Sequence, residues 1–301
     1  MTDQAINYRD ESPARSSHLV DHLRILKAQE STKYVSHDYL ANLSQSSDHI
    51  DKWCRSQMIE WCFQVIDYIQ FERETVIIAI SYLDRFLSSN SPRAKSAMRN
   101  RKEYQLASMT SLYMAIKLVE PTILNLSVLT ELGQGSYSPE EFNKMEMDIL
   151  FGLNWLLNGP TALSFLELYS AFLPTNIAGV STHKIIESAR YQVELSAKDY
   201  DLVTHKPSSI AVAAMVQSVQ RLTFTRNKEL MKTIEELAGV SGYSDNIRQL
   251  INIMDRCNIS PSLKNMRPRT DSRLTESPQL QNKTISNLQG SQSGSPRGVS
   301  N

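Results

Sequence analysis

Apolar residues in this chain recur at steps of three and four residues within separate stretches, which is the pattern of helices with one buried side. The spacing predicts a leading helix from residue 18, then helices at about residues 50–69, 72–88, 105–120, 126–132 and 139–152. Beyond Asn158-Gly159-Pro160 it predicts a second series, at about residues 162–172, 184–197, 207–222, 228–238 and 241–256. The polar residues 88–101 are predicted to form a loop.

The stretch from Gln105 to Glu120, QLASMTSLYMAIKLVE, is apolar on nearly every side of a helical projection. A helix of this kind in a protein of ordinary composition lies in the interior, with other helices packed around it. Residues 207–222 have the same character and are likewise third in their series. The two series therefore predict a structural repeat, although the two halves share negligible sequence identity.

The fold class predicted is all-α, with two five-helix bundles, an N-terminal helix and a disordered C-terminal tail. The N-terminus is polar, and the tail is rich in Ser, Asn, Gln and Pro without an apolar helical side, so neither can bury enough surface to become ordered. The predicted divisions are residues 1–17 (disordered), 18–47 (N-terminal helix region), 48–158 (first bundle), 159–257 (second bundle) and 258–301 (disordered tail).

Composition narrows the class of partners. The chain has 32 Lys and Arg residues and 32 Asp and Glu residues, so no global field attracts it to nucleic acid or to an anionic membrane. Its polar N-terminus predicts no signal peptide, and no apolar run approaches membrane length. The three cysteines, Cys54, Cys62 and Cys257, form no CxxC pair and are interpreted as packing residues in a reducing compartment.

Catalytic constellations are missing from the sequence. His18 and His22 have helical metal-ligand spacing, but no third ligand is spaced nearby. Gly133-Gln134-Gly135 lacks the GK[ST] ending and the preceding strand of a phosphate-binding loop. We therefore expect a helical binding module that is not an enzyme and uses no cofactor or metal.

Four pieces of sequence, in order and spacing, resemble a cyclin box over roughly residues 48–155. They are Arg55…Met58…Trp61, Tyr82 to Ser88 (YLDRFLS), Ala115 to Glu120 (AIKLVE) and Lys144-Met145-Glu146. Residues 161–256 resemble the more divergent C-terminal cyclin fold. Within the family the chain is most similar to a D-type (G1) cyclin, although the LxCxE motif of many D-type cyclins is absent.

The resemblance implies a regulatory subunit that binds and activates a cyclin-dependent kinase, a serine/threonine protein kinase, and so promotes G1/S progression. It assigns kinase binding to Lys117, Glu146 and Glu120. Glu120 lies at the end of the same helix as Lys117. Lys117 lies in the last helical turn, where the negative end of the helix dipole favours a cation. An ion pair with Glu146 would offer charge-assisted hydrogen bonds to a partner backbone.

The resemblance also implies an apolar groove that docks RxL motifs of substrates or inhibitors. Arg55, Met58, Trp61 and Gln105 match that groove. Cys54 and Gln57 depart from it, and Gln57 makes it more polar. Simple core packing explains Met58 and Trp61 equally well.

Regulatory features are expected in the two tails. Ser12, Ser260, Ser277 and Ser295 each precede a proline and are candidate phosphorylation sites, where a phosphate adds about −1.5 to −2 charges. The basic residues Lys264, Arg267 and Arg269 are a candidate nuclear-import signal. We accordingly expect the protein in both nucleus and cytoplasm.

Two other readings remain open at this stage. The first is a cyclin-fold regulator of transcription that partners a transcriptional kinase; the zero net charge argues against a version that binds DNA directly. The second is a small helical enzyme, which the missing constellation disfavours.

Overall fold

The computed structural model describes residues 13–41, 43, 49–122, 124–177, 179–223, 232, 234–236 and 244–259. In its first half the helices are α1 (Pro13–Glu30), α2 (Lys52–Ile69), α3 (Glu74–Ser88), α4 (Pro92–Arg99), α5 (Arg101–Val119), α6 (Leu126–Leu132) and α7 (Pro139–Gly152). The predicted disordered N-terminus overlaps α1, which begins at Pro13, and the rest of it lies outside the described residues.

The second half contains α8 (Ala162–Ser170), β1 (Asn176–Ile177), β2 (Val180–Ser181), α9 (Thr182–Ser196), a 3₁₀ turn (Tyr200–Leu202), α10 (Pro207–Thr223) and α11 (Asp245–Ile259). The two strands pair antiparallel, with Ile177 opposite Val180. The all-α prediction is confirmed, and the small hairpin is an addition to it. Most of the predicted helix at residues 228–238 lies outside the described residues.

The start of α7 follows local sequence chemistry. Ser138 Oγ accepts a hydrogen bond from Glu141 N at 3.3 Å, and Glu141 Oε2 accepts one from Ser138 N at 2.8 Å. Pro139 occupies the first helical position, where its missing N–H costs nothing. This reciprocal capping sets where α7 begins, and hence where Glu146 lies along it.

The loop predicted for residues 88–101 is wrong, because α4 forms within it. Ser91 Oγ accepts a hydrogen bond from Ala94 N at 3.1 Å, and Pro92 is the first helical residue. Ala94, Ala97 and Met98 are buried against α3 and α5. Two alanines and one methionine are too small an apolar signal to stand out among basic residues, so the periodicity was hidden.

The central helix of the first bundle is α5. It packs against α2, α3, α4 and α7, and its residues Met109, Leu112 and Ile116 are completely buried. The last turn differs from the prediction, since Leu118 and Val119 are exposed rather than buried. In the second bundle α10 has the equivalent place and packs against α8, α9 and α11.

A buried ion pair lies where the two bundles meet. Arg55, on α2, donates through Nε and Nη2 to the two carboxylate oxygens of Asp84 on α3, at 3.0 and 2.7 Å. Its Nη1 donates to Ala197 O in the second bundle at 2.9 Å. Tyr39 Oη donates to Asp84 Oδ1 at 2.8 Å. The bidentate geometry and the extra donors satisfy a charge pair that would otherwise be costly to bury.

The environment favours the charged form of Arg55. Burial by itself lowers the pKa of Arg55, but the adjacent Asp84 carboxylate more than offsets burial and leaves that pKa raised. Burial, followed by the charge of Asp84, raises the pKa of Tyr39 well above its usual value. The phenol is therefore a neutral donor to Asp84 at ordinary pH.

The N-terminal helix is anchored to the second bundle. Leu23 and Leu26 belong to its core. At the end of α1 the buried carboxylate of Glu30 accepts hydrogen bonds from Ser208 N at 3.0 Å and Ser208 Oγ at 2.6 Å. Glu30 thereby satisfies one backbone donor in the first turn of α10, a position that the helix dipole favours for an anion.

We predict that Arg55→Met lowers the free energy of unfolding by about 3–5 kcal/mol, because it leaves the Asp84 carboxylate buried without its cation. Urea unfolding followed by circular dichroism measures this change. The control is Lys52→Met on the same helix, whose ion pair with Asp201 is exposed and is expected to contribute about 0–1 kcal/mol. Equal losses in the two variants would contradict the structural role of the buried pair.

Candidate partner-binding surface

The structure brings Lys117 and Glu146 together. Lys117 Nζ lies 2.5 Å from Glu146 Oε1, linking the last turn of α5 to the middle of α7. The two side chains are 35% and 18% exposed, so the pair is at the surface but partly desolvated. Lys117 Nζ also lies 4.9 Å from the centroid of the Tyr113 ring, one turn earlier on α5. The ring and the carboxylate hold the ammonium in one place.

The pair retains hydrogen-bonding capacity for a partner. An ammonium has three donors and a carboxylate has two acceptor oxygens, and their mutual contact uses one of each. The remaining groups can reach a partner's backbone carbonyl and amide groups. Such hydrogen bonds are charge-assisted and are stronger than those between neutral groups.

Exposed apolar side chains lie close to Lys117 and Glu146 in the sequence of both helices. Leu118 is 51% exposed and Phe151 is 63% exposed, and Val119 and Met147 are exposed as well. Trp155 packs edge-to-face on Phe151, with the ring centroids 6.1 Å apart, and is also exposed. We call Leu118, Val119, Met147, Phe151 and Trp155 the apolar surround.

Sequence reasoning missed the apolar surround, because it assigned Leu118 to a helix buried on every side. A signal was present on α7, where Met147 and Phe151 are four residues apart and out of phase with the buried Met145 and Ile149. Apolar residues on the second side of an amphipathic helix mark either a second packing partner or a binding surface.

Glu120 has a role within the chain. Its Oε1 accepts hydrogen bonds from the backbone N–H of Glu72, at 3.1 Å, and from the hydroxyl of Thr75. Both donors lie at the start of α3, so the carboxylate ties the end of α5 to that helix. The contacts of Oε1 give Glu120 a role in positioning α5, and its assignment to kinase binding stays a prediction.

The residues predicted to form a docking groove occupy different environments. Arg55 is 3% exposed and committed to Asp84 and Ala197, which places it in the core rather than in a surface groove. Met58 and Trp61 are half-buried and pack against the first core. Gln105 is exposed, and its Oε1 accepts a hydrogen bond from Tyr137 Oη at 2.9 Å.

The Tyr137 hydroxyl has two acceptors in reach, since Lys102 O and Gln105 Oε1 both lie 2.9 Å from it. Burial, and then the charges of Glu141 and Glu103, raise the pKa of Tyr137 to about 12, so its hydroxyl remains a neutral donor. Its single proton is donated to one of these acceptors at a time. Docking through Met58, Trp61 and Gln105 stays a prediction.

Most of the remaining predicted sites cannot be placed, because they lie outside the described residues. Ser12, Ser260, Ser277 and Ser295 lie outside the described residues, as do Lys264, Arg267 and Arg269. His18 and His22 are both exposed. Within the described part of the chain, no group of three His, Cys, Asp or Glu residues could hold a metal ion. No described helix is long and apolar enough to span a membrane.

Two helical bundles around central helices, with an ion pair at the end of the first central helix, are the arrangement expected of a cyclin-type fold. The family model described as "Cyclin, N-terminal domain" matches residues 21–158, and the model "Cyclin, C-terminal domain" matches residues 160–274. The two matches cover most of the chain. The chain therefore belongs to the cyclin family.

Similar curated proteins are cyclins of the A and B types. A putative cyclin-A3-1 of Arabidopsis thaliana is 30% identical over 162 residues, which are 54% of this chain and 43% of the relative. A G2/mitotic-specific cyclin-B2 of Gallus gallus is 32% identical over 164 residues, which are 54% of this chain and 38% of the relative. The G2/mitotic-specific cyclin C13-1 of Daucus carota is 32% identical over 173 residues, or 58% and 48%.

The chain thus spans less than half the length of these relatives. Their types give no support to the D-type resemblance predicted from the sequence. Among solved structures, a viral cyclin from herpesvirus saimiri matches with a TM-score of 0.60 and 16% identity, over 78% of this chain and 97% of that one. At that identity the match confirms the tandem cyclin fold and nothing finer.

We predict that Glu120→Ala lowers the free energy of unfolding by about 1–2 kcal/mol, because Glu72 N–H and the Thr75 hydroxyl lose their acceptor. Urea unfolding measures the effect. Glu120→Gln retains Oε1 as an acceptor and serves as the matched control, with stability expected close to that of the unchanged chain. If Glu120→Ala is as stable as Glu120→Gln, the assigned contact does not stabilise α3.

Proposed function

We propose that this chain binds and activates a cyclin-dependent kinase through Lys117, Glu146 and the apolar surround. The single observation that carries the proposal is the ion pair between Lys117 and Glu146, partly exposed at 2.5 Å, with exposed apolar residues near it in the sequence of both helices. Family membership supports a regulatory role, and the named relatives are themselves cyclins. The chain carries out no chemistry in this proposal.

The proposed mechanism is a shift between two states of the kinase. A protein kinase is active when a glutamate on its regulatory helix pairs with the catalytic lysine. A surface that binds the inward position of that helix more tightly than the outward one moves the equilibrium by that difference in affinity. Lys117 and Glu146 would bond the polar ends of the helix and its flanking backbone, and the apolar surround would cover its apolar side.

The energies of the two components are complementary. Fully burying an aliphatic or aromatic side chain contributes about 1.5–3 kcal/mol, so the apolar surround is the main source of affinity. Charge-assisted hydrogen bonds from Lys117 and Glu146 act mainly on orientation, since they form only when the partner groups are correctly placed. A rigid base is needed for this, and the buried body of α5 provides it.

The proposal has finer parts that rest on the sequence. Promotion of cell-cycle progression at G1/S follows from the D-type resemblance, whereas two of the relatives above are named G2/mitotic-specific. The cell-cycle stage at which immunoprecipitated kinase activity peaks decides between them. Residence in nucleus and cytoplasm, and docking of RxL-containing substrates or inhibitors, are further parts of the same proposal.

We predict that Lys117→Ala combined with Glu146→Ala reduces kinase activation by more than about tenfold, the equivalent of 1.4 kcal/mol of binding free energy. The experiment measures phosphorylation of a peptide by the kinase that co-purifies with each variant. The control is Arg221→Ala combined with Asp255→Ala, which removes an exposed ion pair between α10 and α11 in the second bundle.

Helical content by circular dichroism should be unchanged in both double variants, because neither pair is buried. Full activation by the Lys117 and Glu146 double variant would overturn the site. If no kinase co-purifies with the unchanged chain, the proposed kinase activation is wrong. The alternative hypothesis, a regulator that partners a transcriptional kinase, would then be wrong as well.

A further inference from the structure

Four basic side chains form an exposed surface at the opposite end of α5 from Lys117. The inner side of α4 buries Ala94, Ala97 and Met98, and its outer side exposes Lys95 and Arg99 one turn apart. Arg101 and Lys102 follow in the first turn of α5 and are also exposed. We call Lys95, Arg99, Arg101 and Lys102 the α4–α5 basic surface.

Within the described part of the chain, nearby carboxylates do not neutralise this surface. Lys95 and Arg99 have no side-chain hydrogen bond or ion pair with any described residue. Among the same residues, Arg101 has a distant carboxylate, Asp51 Oδ2 at 4.0 Å, and a backbone hydrogen bond to His49 O at 3.3 Å. Lys102 Nζ lies 5.6 Å from the ring centroid of Tyr137.

Arg93, on the same short helix, is different. Its guanidinium pairs with Glu103 Oε2 at 2.7 Å and lies 3.5 Å from Asp148 Oδ2. Glu103, the acid in the first turn of α5, is therefore already committed to Arg93. The surface remains strongly cationic within a chain whose formal net charge is zero.

Helix stability does not account for most of these residues, since only Arg99, in the last turn of α4, is favoured by the helix dipole. Arg101 and Lys102 lie at the N-terminal end of α5, where the helix dipole disfavours cations. Lys95 and Arg99 are like charges four residues apart on one helix face, an arrangement that is mildly destabilising. Residues that oppose the local electrostatics of the fold are better explained by an external anion.

We propose that the α4–α5 basic surface binds an extended, carboxylate-rich segment of a protein partner. Lys95 and Arg99 are separated along α4 by about 6 Å, at 1.5 Å per residue. Alternate side chains of an extended chain are separated by about 6.6 Å, so acidic residues at every second position match this spacing. Arg101 and Lys102 continue the surface beyond the end of α4.

The surroundings favour a peptide over a nucleic acid. Duplex DNA carries one charge per about 1.7 Å, and a strand that covered the surface would also meet the exposed Asp51 carboxylate at its border. A peptide, in contrast to DNA, can carry its negative charges solely at the positions that face the cations. The surface is also separate from the proposed kinase site, because Arg101 and Lys117 are about 24 Å apart along α5 at 1.5 Å per residue.

The test is a titration of the full chain against a fluorescent peptide with glutamate at alternate positions, followed by anisotropy. We expect saturable binding that weakens as salt increases, since the contacts are exposed charges. Lys95→Glu combined with Lys102→Glu should weaken binding by about tenfold or more. Both changes place acids in the N-terminal halves of helices, so the fold should be retained.

The matched control is Lys33→Glu combined with Lys184→Glu, two exposed lysines of which the second lies in the first turn of α9. It makes the same change in net charge and should bind as the unchanged chain does. The proposal is overturned if the control loses affinity equally, if a peptide with glutamine in place of glutamate binds as well, or if no saturable binding occurs. The surface would be assigned to nucleic acid instead if a single-stranded oligonucleotide binds more tightly than the glutamate peptide and if the Lys95→Glu and Lys102→Glu variant loses that binding.

Discussion

The buried guanidinium of Arg55 is the contact on which the arrangement of the two bundles depends. It joins α2 to α3 through Asp84 and joins both to the second bundle through Ala197 O. A charge of this kind tolerates little change in distance or angle, since each misplaced bond leaves a buried polar group unsatisfied. It therefore constrains the relative position of two hydrophobic cores that are otherwise largely separate.

The pair of Arg55 and Asp84 also helps to position the helix against which α5 packs. Its neighbour α3 carries Asp84 on one side and packs along α5 on the other. The body of α5 is buried, so its two ends are held at fixed positions on the surface. One end presents Lys117 with the apolar surround, and the other presents the α4–α5 basic surface. In the two proposals, the kinase and the acidic peptide thus bind at different ends of α5 and do not compete for the same residues.

Much of this could be predicted from periodicity, and the failures have physical causes. The helices of both bundles, the capping of α7 and the proximity of Lys117 to Glu146 follow from local patterns and from a family resemblance. The helix α4 was missed because its buried residues are small. Arg55 was assigned to a groove through the family resemblance, because the sequence does not show its buried partner, Asp84.

The sequence by itself determined most of the helices, their order, the division near Gly159 and the family, because these depend on spacings of three and four residues and on contiguous motifs. Tertiary structure alone decided which charged groups are buried, paired or exposed. Arg55 and Lys95 are both basic residues of predicted helical or polar segments. Nevertheless Arg55 is enclosed by two bundles, whereas Lys95 faces solvent. That difference arises from packing between helices distant in sequence, which no local pattern encodes.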